Sequence, residues 1–487
     1  MTSGTKRNNP SFGNSEKYFI SDVFSKGNLI AYGVKSKLVF NELKFKKPLL
    51  FLFPSEEHYQ KMRHIFEFEI KGFFEYVGGK QAGEIHIPRG YTSNARKLYY
   101  ASSWNECSID ILPDEIFLKR YLNEKEGITK ANITFSLTEN KIVNPWGSIT
   151  KSFTGEVSPE LEPRITLDFN DAWKATIEEH YNFVDTKIDD VEGYFSSSQL
   201  VLTLEKANHR LFSMDEVKTI SRWVDNMLLY LSFGSRQRTT WVKWSAIINN
   251  EYIEYFRNNV SIPQTLNNEE PLIDESSFQE FLTHCLYFSN QKENLDLYLP
   301  IIYLIGTGRQ GKTIESQFLS LFMSLEALLD LYGEKNNKNK HLTNKTKPKW
   351  KDFYDCLTKA INDIPEMENE LKETFIKRLG SLNKTSKRSL YEDFCQEYAI
   401  DNSDLWPIYG NNKFDLDKIR NDLVHGRRTQ YDSILDIATE NLRWIIERCI
   451  LAVLGWKGKT DVNKDSLWQY TAYEWKNYIE KNNANTV

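Results

Sequence analysis

The sequence predicts an α+β protein in two parts. A β-rich N-terminal region, folded as a sandwich or partly open barrel with one helix, precedes an all-helical bundle. Three observations predict this. Up to residue 260, short segments alternate apolar and polar residues or are rich in β-branched and aromatic ones, with turn-forming runs between them. From residue 278 onward, apolar residues recur with a helical period and no strand pattern follows. Between the two, "SIPQTLNNEEPLIDESS" (261–277) is polar and acidic and carries two prolines, which reads as a linker. With 487 residues the chain exceeds one ordinary core. The divisions are a loose, disordered tail (1–15), a β-rich domain (16–260), the linker, and a helical domain (278–480).

In chain order, strands are expected over 37–45, 64–74, 131–137, 148–157, 164–169 and 198–204. The one helix among them starts at Ser213, an N-cap residue. Asp215 and Glu216 suit its positive end, and Val217, Ile220, Trp223, Val224, Met227 and Leu228 form its apolar stripe. Gly234 is read as its end, and "TTWVKWSAI" (239–247) and "EYIEYF" (251–256) as two last strands. Beyond the linker, helices are expected near 278–290, 294–305, 313–332, 350–361, 367–380, 388–398, 414–425 and 432–454. The helix over 313–332 is apolar nearly all round, so it is expected in a core or an oligomer interface.

Composition excludes several classes. Hydrophobic residues at 40% supply a core throughout, which excludes a mainly disordered chain. A net charge of −5 excludes a uniformly basic polyanion binder, so any nucleic-acid site is a local patch. No apolar run reaches the ~18 residues that span a bilayer, and the polar N-terminus lacks the apolar core of a signal peptide. A cytoplasmic protein with no membrane association is expected. The five cysteines (107, 285, 356, 395 and 449) are odd in number and widely spaced, and they read as reduced thiols. The adjacent His284 and Cys285 point in different directions on a helix, so no metal and no cofactor is expected. The acids of "NECSIDILPDE" (105–115) read as a solvated strand edge, and the Lys/Asn-rich run 333–351 as a solvated loop.

Two motifs stand out. "GTGRQGKT" (306–313) satisfies the letters of the phosphate-binding P-loop, with Gly306, Gly311, Lys312 and Thr313 in the cradling positions. That chemistry needs a strand before the loop and an acid at the end of a second strand. Pro300 interrupts the preceding run and no strand–helix alternation follows, so the octet reads as a turn between helices, with Thr313 capping the second. The other motif is "IRNDLVHG" (419–426). At 100° per residue, Leu416, Ile419, Leu423 and Val424 define an apolar arc, and Arg420 falls inside it, where a charge needs a partner. His425 lies about 140° from Arg420 on a regular helix, so the two converge through a break at Gly426 or across a dimer axis. Glu326 sits in the apolar part of the helix over 313–332 and is the natural partner for Arg420.

"ESQFLSLFMSLEALLD", the loop and middle helices after it, "LDKIRNDLVHGRR" and a last helix ending "ILAVLGW" resemble the HEPN domain of ApeA-like proteins over roughly residues 278–457. The Arg-x4-His element with Asn after Arg is that family's ribonuclease signature. The resemblance implies a four-helix-type domain, a homodimer, and metal-independent cleavage of RNA, with tRNA among the candidate substrates. It also implies a role in anti-phage defence by abortive infection. A phage-derived trigger would then act on the N-terminal domain.

RNA carries its own nucleophile, the 2′-hydroxyl. Cleavage needs a base, an acid and a cation at the crowded phosphate. By similarity, His425 is the general acid/base and Arg420 stabilises the transition state. Asn421 orients His425 or a phosphate oxygen, and Glu326 holds Arg420. Arg427 and Arg428 either grip flanking phosphates or offset the carbonyl end of the helix. Two other functions compete: a HEPN-like module that binds RNA or a partner without cleaving it, and a nucleotide-driven switch through 306–313.

Overall fold

In a computed structural model the chain divides into two units, Met1–Leu228 with Arg238–Leu266, and Leu229–Gln237 with Asn267–Val487. The structure describes residues 14–41, 46–75, 81–99, 105–121, 132–138, 140, 142, 165–169, 173–188, 191–206, 212–248, 251–257, 270–291, 293–306, 313–342, 349–410, 415–426, 434–458, 460 and 476–477. The molecule is α+β, with strands in the first unit and helices dominating the second.

The first unit holds β1 (Asn14–Ser25), β2 (Asn28–Asn41), β3 (Lys46–Phe53), β4 (Glu67–Glu75), β5 (Gln81–Tyr99), β6 (Asn105–Pro113) and β7 (Glu115–Tyr121). It continues with β8 (Asn132–Leu137), β9 (Ile165–Phe169), β10 (Trp173–Ile188), β11 (Val191–Lys206), β12 (Trp241–Ile248) and β13 (Glu251–Arg257). Strands β4-β1-β2-β3-β6-β5 run in that order, and β4 pairs back onto β5, which closes a six-stranded antiparallel barrel. The sheet extends from β5 through β7-β13-β12-β8-β11-β10-β9. Closure gives each barrel strand a partner on either side over part of its length. Period-2 alternation sends Phe19, Val23, Leu38, Leu50, Leu52, Phe68, Ile70, Ile85 and Ile109 inward, each at most 5% exposed.

This corrects several expectations. The barrel is closed, because β5 is long enough to pair with β4, β6 and β7. The tail stops earlier than residue 15, since β1 begins at Asn14. A second helix, α1 (Glu56–Met62), capped by Ser55, packs at the barrel and buries Tyr59 and Met62. The strand β6 lies between β3 and β5, so it is no solvated edge, and Asp110 is buried beside the Ser108 hydroxyl at 3.1 Å. The strand expected over 148–157 and the tail residues 1–13 lie outside the described residues.

The helix α2 (Met214–Ser235) opens on a capping box: the Glu216 N–H donates to Ser213 Oγ (3.3 Å) and the Ser213 N–H to Glu216 Oε2 (2.8 Å). Its expected stripe from Val217 to Leu228 is buried. Within the first unit, Asp225 accepts from Trp241 Nε1 (2.9 Å) and from Arg257 Nη1 (3.0 Å). Gly234 does not end the helix. A Cβ there would stand 2.8 Å from the Phe278 ring, so glycine serves close packing in the second unit.

The second unit contains α3 (Phe278–Ser289), α4 (Tyr298–Ile305), α5 (Ile314–Lys335), α6 (Trp350–Asn362), α7 (Asn369–Leu382), α8 (Lys387–Glu397), α9 (Leu416–Val424) and α10 (Leu435–Leu454). Leu272 and Ile273, in the segment read as linker, are fully buried, and the Ile273 N–H donates to the Gly234 carbonyl. At the centre α5 packs against α4, α8, α9 and α10 and buries Phe318, Leu321, Phe322, Leu325, Leu328, Leu329 and Tyr332. Of the two positions expected for this helix, these residues occupy a core. Of its large apolar residues, Met323 alone among the described ones is exposed. The P-loop-like octet follows a helix, not a strand: Gly306 closes α4, and Thr313 caps α5 by accepting from the Ser316 N–H. Residues 307–312 lie outside the described ones. The His284 Nε2 stands 2.6 Å from the Leu454 carbonyl oxygen at the end of α10. No described helix is long and apolar enough to cross a membrane.

Candidate functional site

The site is built on α9 and the face of α5 beneath it. Leu416 and Ile419 are fully buried and anchor α9. One turn of the pattern fails: Val424 is 58% exposed, so the apolar arc is narrower than the spacing suggests. Asp415 stands at the N-cap position and Asp417 in the first turn, where negative charge suits the helix dipole. The helix ends at Val424 because Gly426 takes φ +74°, a left-handed conformation that glycine adopts without penalty. The Gly426 N–H then donates to the Leu423 carbonyl and the His425 N–H to the Asn421 carbonyl.

Arg420 reaches across to α5. Its Nη2 donates to Glu326 Oε1 at 3.0 Å and its Nη1 to Asn421 Oδ1 at 3.0 Å. Asn421 in turn donates from Nδ2 to Asp417 Oδ2 at 3.2 Å, one helical turn back. A chain Asp417–Asn421–Arg420–Glu326 therefore fixes the plane of the guanidinium. The pair is not buried as expected: Arg420 and Glu326 side chains each keep 32% of their surface. The reason is position, because Glu326 sits on the flank of α5 between the buried Leu325 and the exposed Asp330.

Asn421 does not orient His425 with its side chain, which is spent on Arg420 and Asp417. His425 is exposed at the C-cap, and among the described residues no hydrogen bond or ion pair engages its ring. The break at Gly426 frees the ring without bringing it onto Arg420. Arg427 and Arg428 lie outside the described residues.

Sequence reasoning missed three neighbours. Asp417 was legible as the i−4 partner of Asn421. Lys387, the first residue of α8, forms an ion pair with Asp330 and places its Nζ 3.4 Å from the Glu326 carbonyl oxygen; no spacing signals a contact across 61 residues. Tyr409 is half-buried, and its phenol is pushed above the ordinary range by burial, then by Asp417 and Glu326, with Arg420 opposing. It stays a neutral donor beside the site. Among the described residues, no group of three or more His, Cys, Asp or Glu side chains is placed to hold a metal ion. No family model, curated protein or solved structure matches the chain.

Proposed function

We propose that the chain is a metal-independent endoribonuclease of the HEPN type, acting in bacterial anti-phage defence. The observation that carries this reading is the guanidinium of Arg420, oriented by Glu326 and Asn421 and still partly open to solvent, one turn from an exposed histidine whose ring no described residue engages. A fixed, planar cation on the same helix as a histidine, a residue type that serves as acid or base, suits 2′-hydroxyl attack.

In this reading the 2′-oxygen loses its proton as it attacks the adjacent phosphorus. The P–O5′ bond breaks, and the 5′-oxygen leaves with a proton. The products are a 2′,3′-cyclic phosphate and a 5′-hydroxyl. Arg420 binds the phosphoryl oxygens as their charge grows, and His425 moves one of the two protons. The resemblance implies a homodimer, which supplies a second histidine for the other proton. Light scattering should then give about twice the chain mass.

Purified protein incubated with total RNA tests the reading. Cleavage should persist in EDTA, should not need ATP, and should leave 2′,3′-cyclic phosphate ends. Replacement of His425 by Ala should lower the rate at least ~100-fold, the usual contribution of a proton-transfer group. Strict Mg²⁺ dependence with 3′-hydroxyl ends would rule the mechanism out.

A further inference from the structure

The outer face of the barrel carries side chains that its inner core does not explain. Alternation along β1 turns Tyr18 and Ile20 outward, 62% and 59% exposed. In register beside Ile20, β4 presents Phe73, 52% exposed. On the other side β2 presents lysines, with Lys35 opposite Ile20 and Lys37 opposite Tyr18. The Lys37 ammonium stands 5.4 Å from the Tyr18 ring centre. Among the described residues Lys35 is exposed and makes no ion pair. Next along β4, Lys71 is held by Glu69 at 2.9 Å, and the Asp22 carboxylate opposite it accepts from the Gly33 N–H at 3.1 Å. Both of these carboxylates are therefore engaged, and among the described residues Lys35 presents an exposed positive charge on this face.

Three strands thus display an aromatic and aliphatic row flanked by cations. Residues two apart on one strand lie about 6.7 Å from each other, and neighbouring strands about 4.8 Å. Flat side chains at those spacings suit successive unstacked bases, with lysines beside them for the phosphates. Lysine is depleted at the centre of protein–protein interfaces, whereas here it lines the row.

We propose that the outer face of β4-β1-β2 binds single-stranded nucleic acid, by stacking on Tyr18 and Phe73 and by phosphate contacts from Lys35 and Lys37. This goes beyond the nuclease reading and concerns residues of the first unit alone.

Fluorescence anisotropy of a labelled 15-nucleotide oligo(dT) with the full chain tests it. A DNA strand has no 2′-hydroxyl, so binding is read independently of cleavage. Tyr18→Ala with Phe73→Ala should weaken binding at least tenfold. Lys35→Gln with Lys37→Gln should weaken it and flatten the dependence of log affinity on log salt by about 1.4, at roughly 0.7 per phosphate contact. All four side chains point outward, so thermal melting of the variants should match the parent. A His425→Ala chain should bind the oligonucleotide like the parent, which separates this inference from the fate of the nuclease. Unchanged binding in both double variants would overturn it. So would equal affinity for a duplex of the same length. So would a parent chain that binds anionic phosphatidylserine vesicles, or loses a dimer on substitution, without binding oligo(dT).

Discussion

Arg420 is positioned by two side chains of different origin, Asn421 beside it and Glu326 94 residues away on α5. Both members of the ion pair are about one-third exposed, so water screens them. A buried pair broken on one side costs ~3–5 kcal/mol, but an exposed pair is worth ~0.2–1 kcal/mol. A double-mutant cycle on stability, Glu326→Gln with Arg420→Gln, should therefore give a coupling of about 0.5–1 kcal/mol. A coupling indistinguishable from zero would show that the contact is not held in solution. Activity should respond more than stability, because the pair orients rather than supports. Arg420→Lys should lose cleavage with little change in melting, since a point charge cannot serve Glu326, Asn421 and a phosphate through one planar fork.

At the scale of elements, the end of α9 decides where His425 stands. Gly426 has φ +74°, and among the described residues an added methyl meets no atom within 4 Å, so the cost is conformational. Gly426→Ala should lose about 1–2 kcal/mol in urea unfolding and should lower cleavage by letting the helix run on past His425. The glycine of α2 fails for the opposite reason. At Gly234 a Cβ would enter the Phe278 and Phe281 rings, so Gly234→Ala should cost about 1–3 kcal/mol by overpacking. If that variant melts like the parent, the close approach of α2 to α3 is wrong. The contrast separates two uses of one residue type, backbone freedom in α9 and the absence of volume in α2.

At the scale of the whole molecule, residues 229–237 belong with the helical unit although they precede the last two strands of the barrel unit. The anchor is Arg236, whose Nε and Nη2 bind Glu447 of α10 at 2.8 and 2.6 Å, with side-chain exposures of 7% and 1%. This pair is buried, unlike the one at Arg420. Glu447→Ala should destabilise the helical unit by about 3–5 kcal/mol, because the guanidinium is left stranded. Arg236→Met combined with Glu447→Leu should recover most of that loss in the same urea titration. A double variant no better than the single one would show that the pair contributes more than charge compensation.

Most of the helical architecture beyond residue 278 was legible in the sequence, because helical period is a local property. Each of the eight expected helices corresponds to one described helix, with ends within a few residues. Ser213 and Thr313 were recognised as caps for the same reason, since a cap acts within three residues. The barrel was less legible. The strands β1, β5 and β10 carry mixed patterns, and closure depends on β4 meeting β5, a pairing that no single segment encodes. At the site, the residue types and the helix break at Gly426 could be read from the chain, as could Glu326 as partner to Arg420. What the chain alone did not set was burial: Glu326 and Arg420 were expected in a dry core and stand at its margin, while Arg236 and Glu447, unremarked in sequence, hold the buried ion pair. The physical reason is that period and capping are fixed by neighbours along the backbone. Burial is fixed by which helix covers which face, and that is decided only when α4, α8, α9 and α10 close around α5.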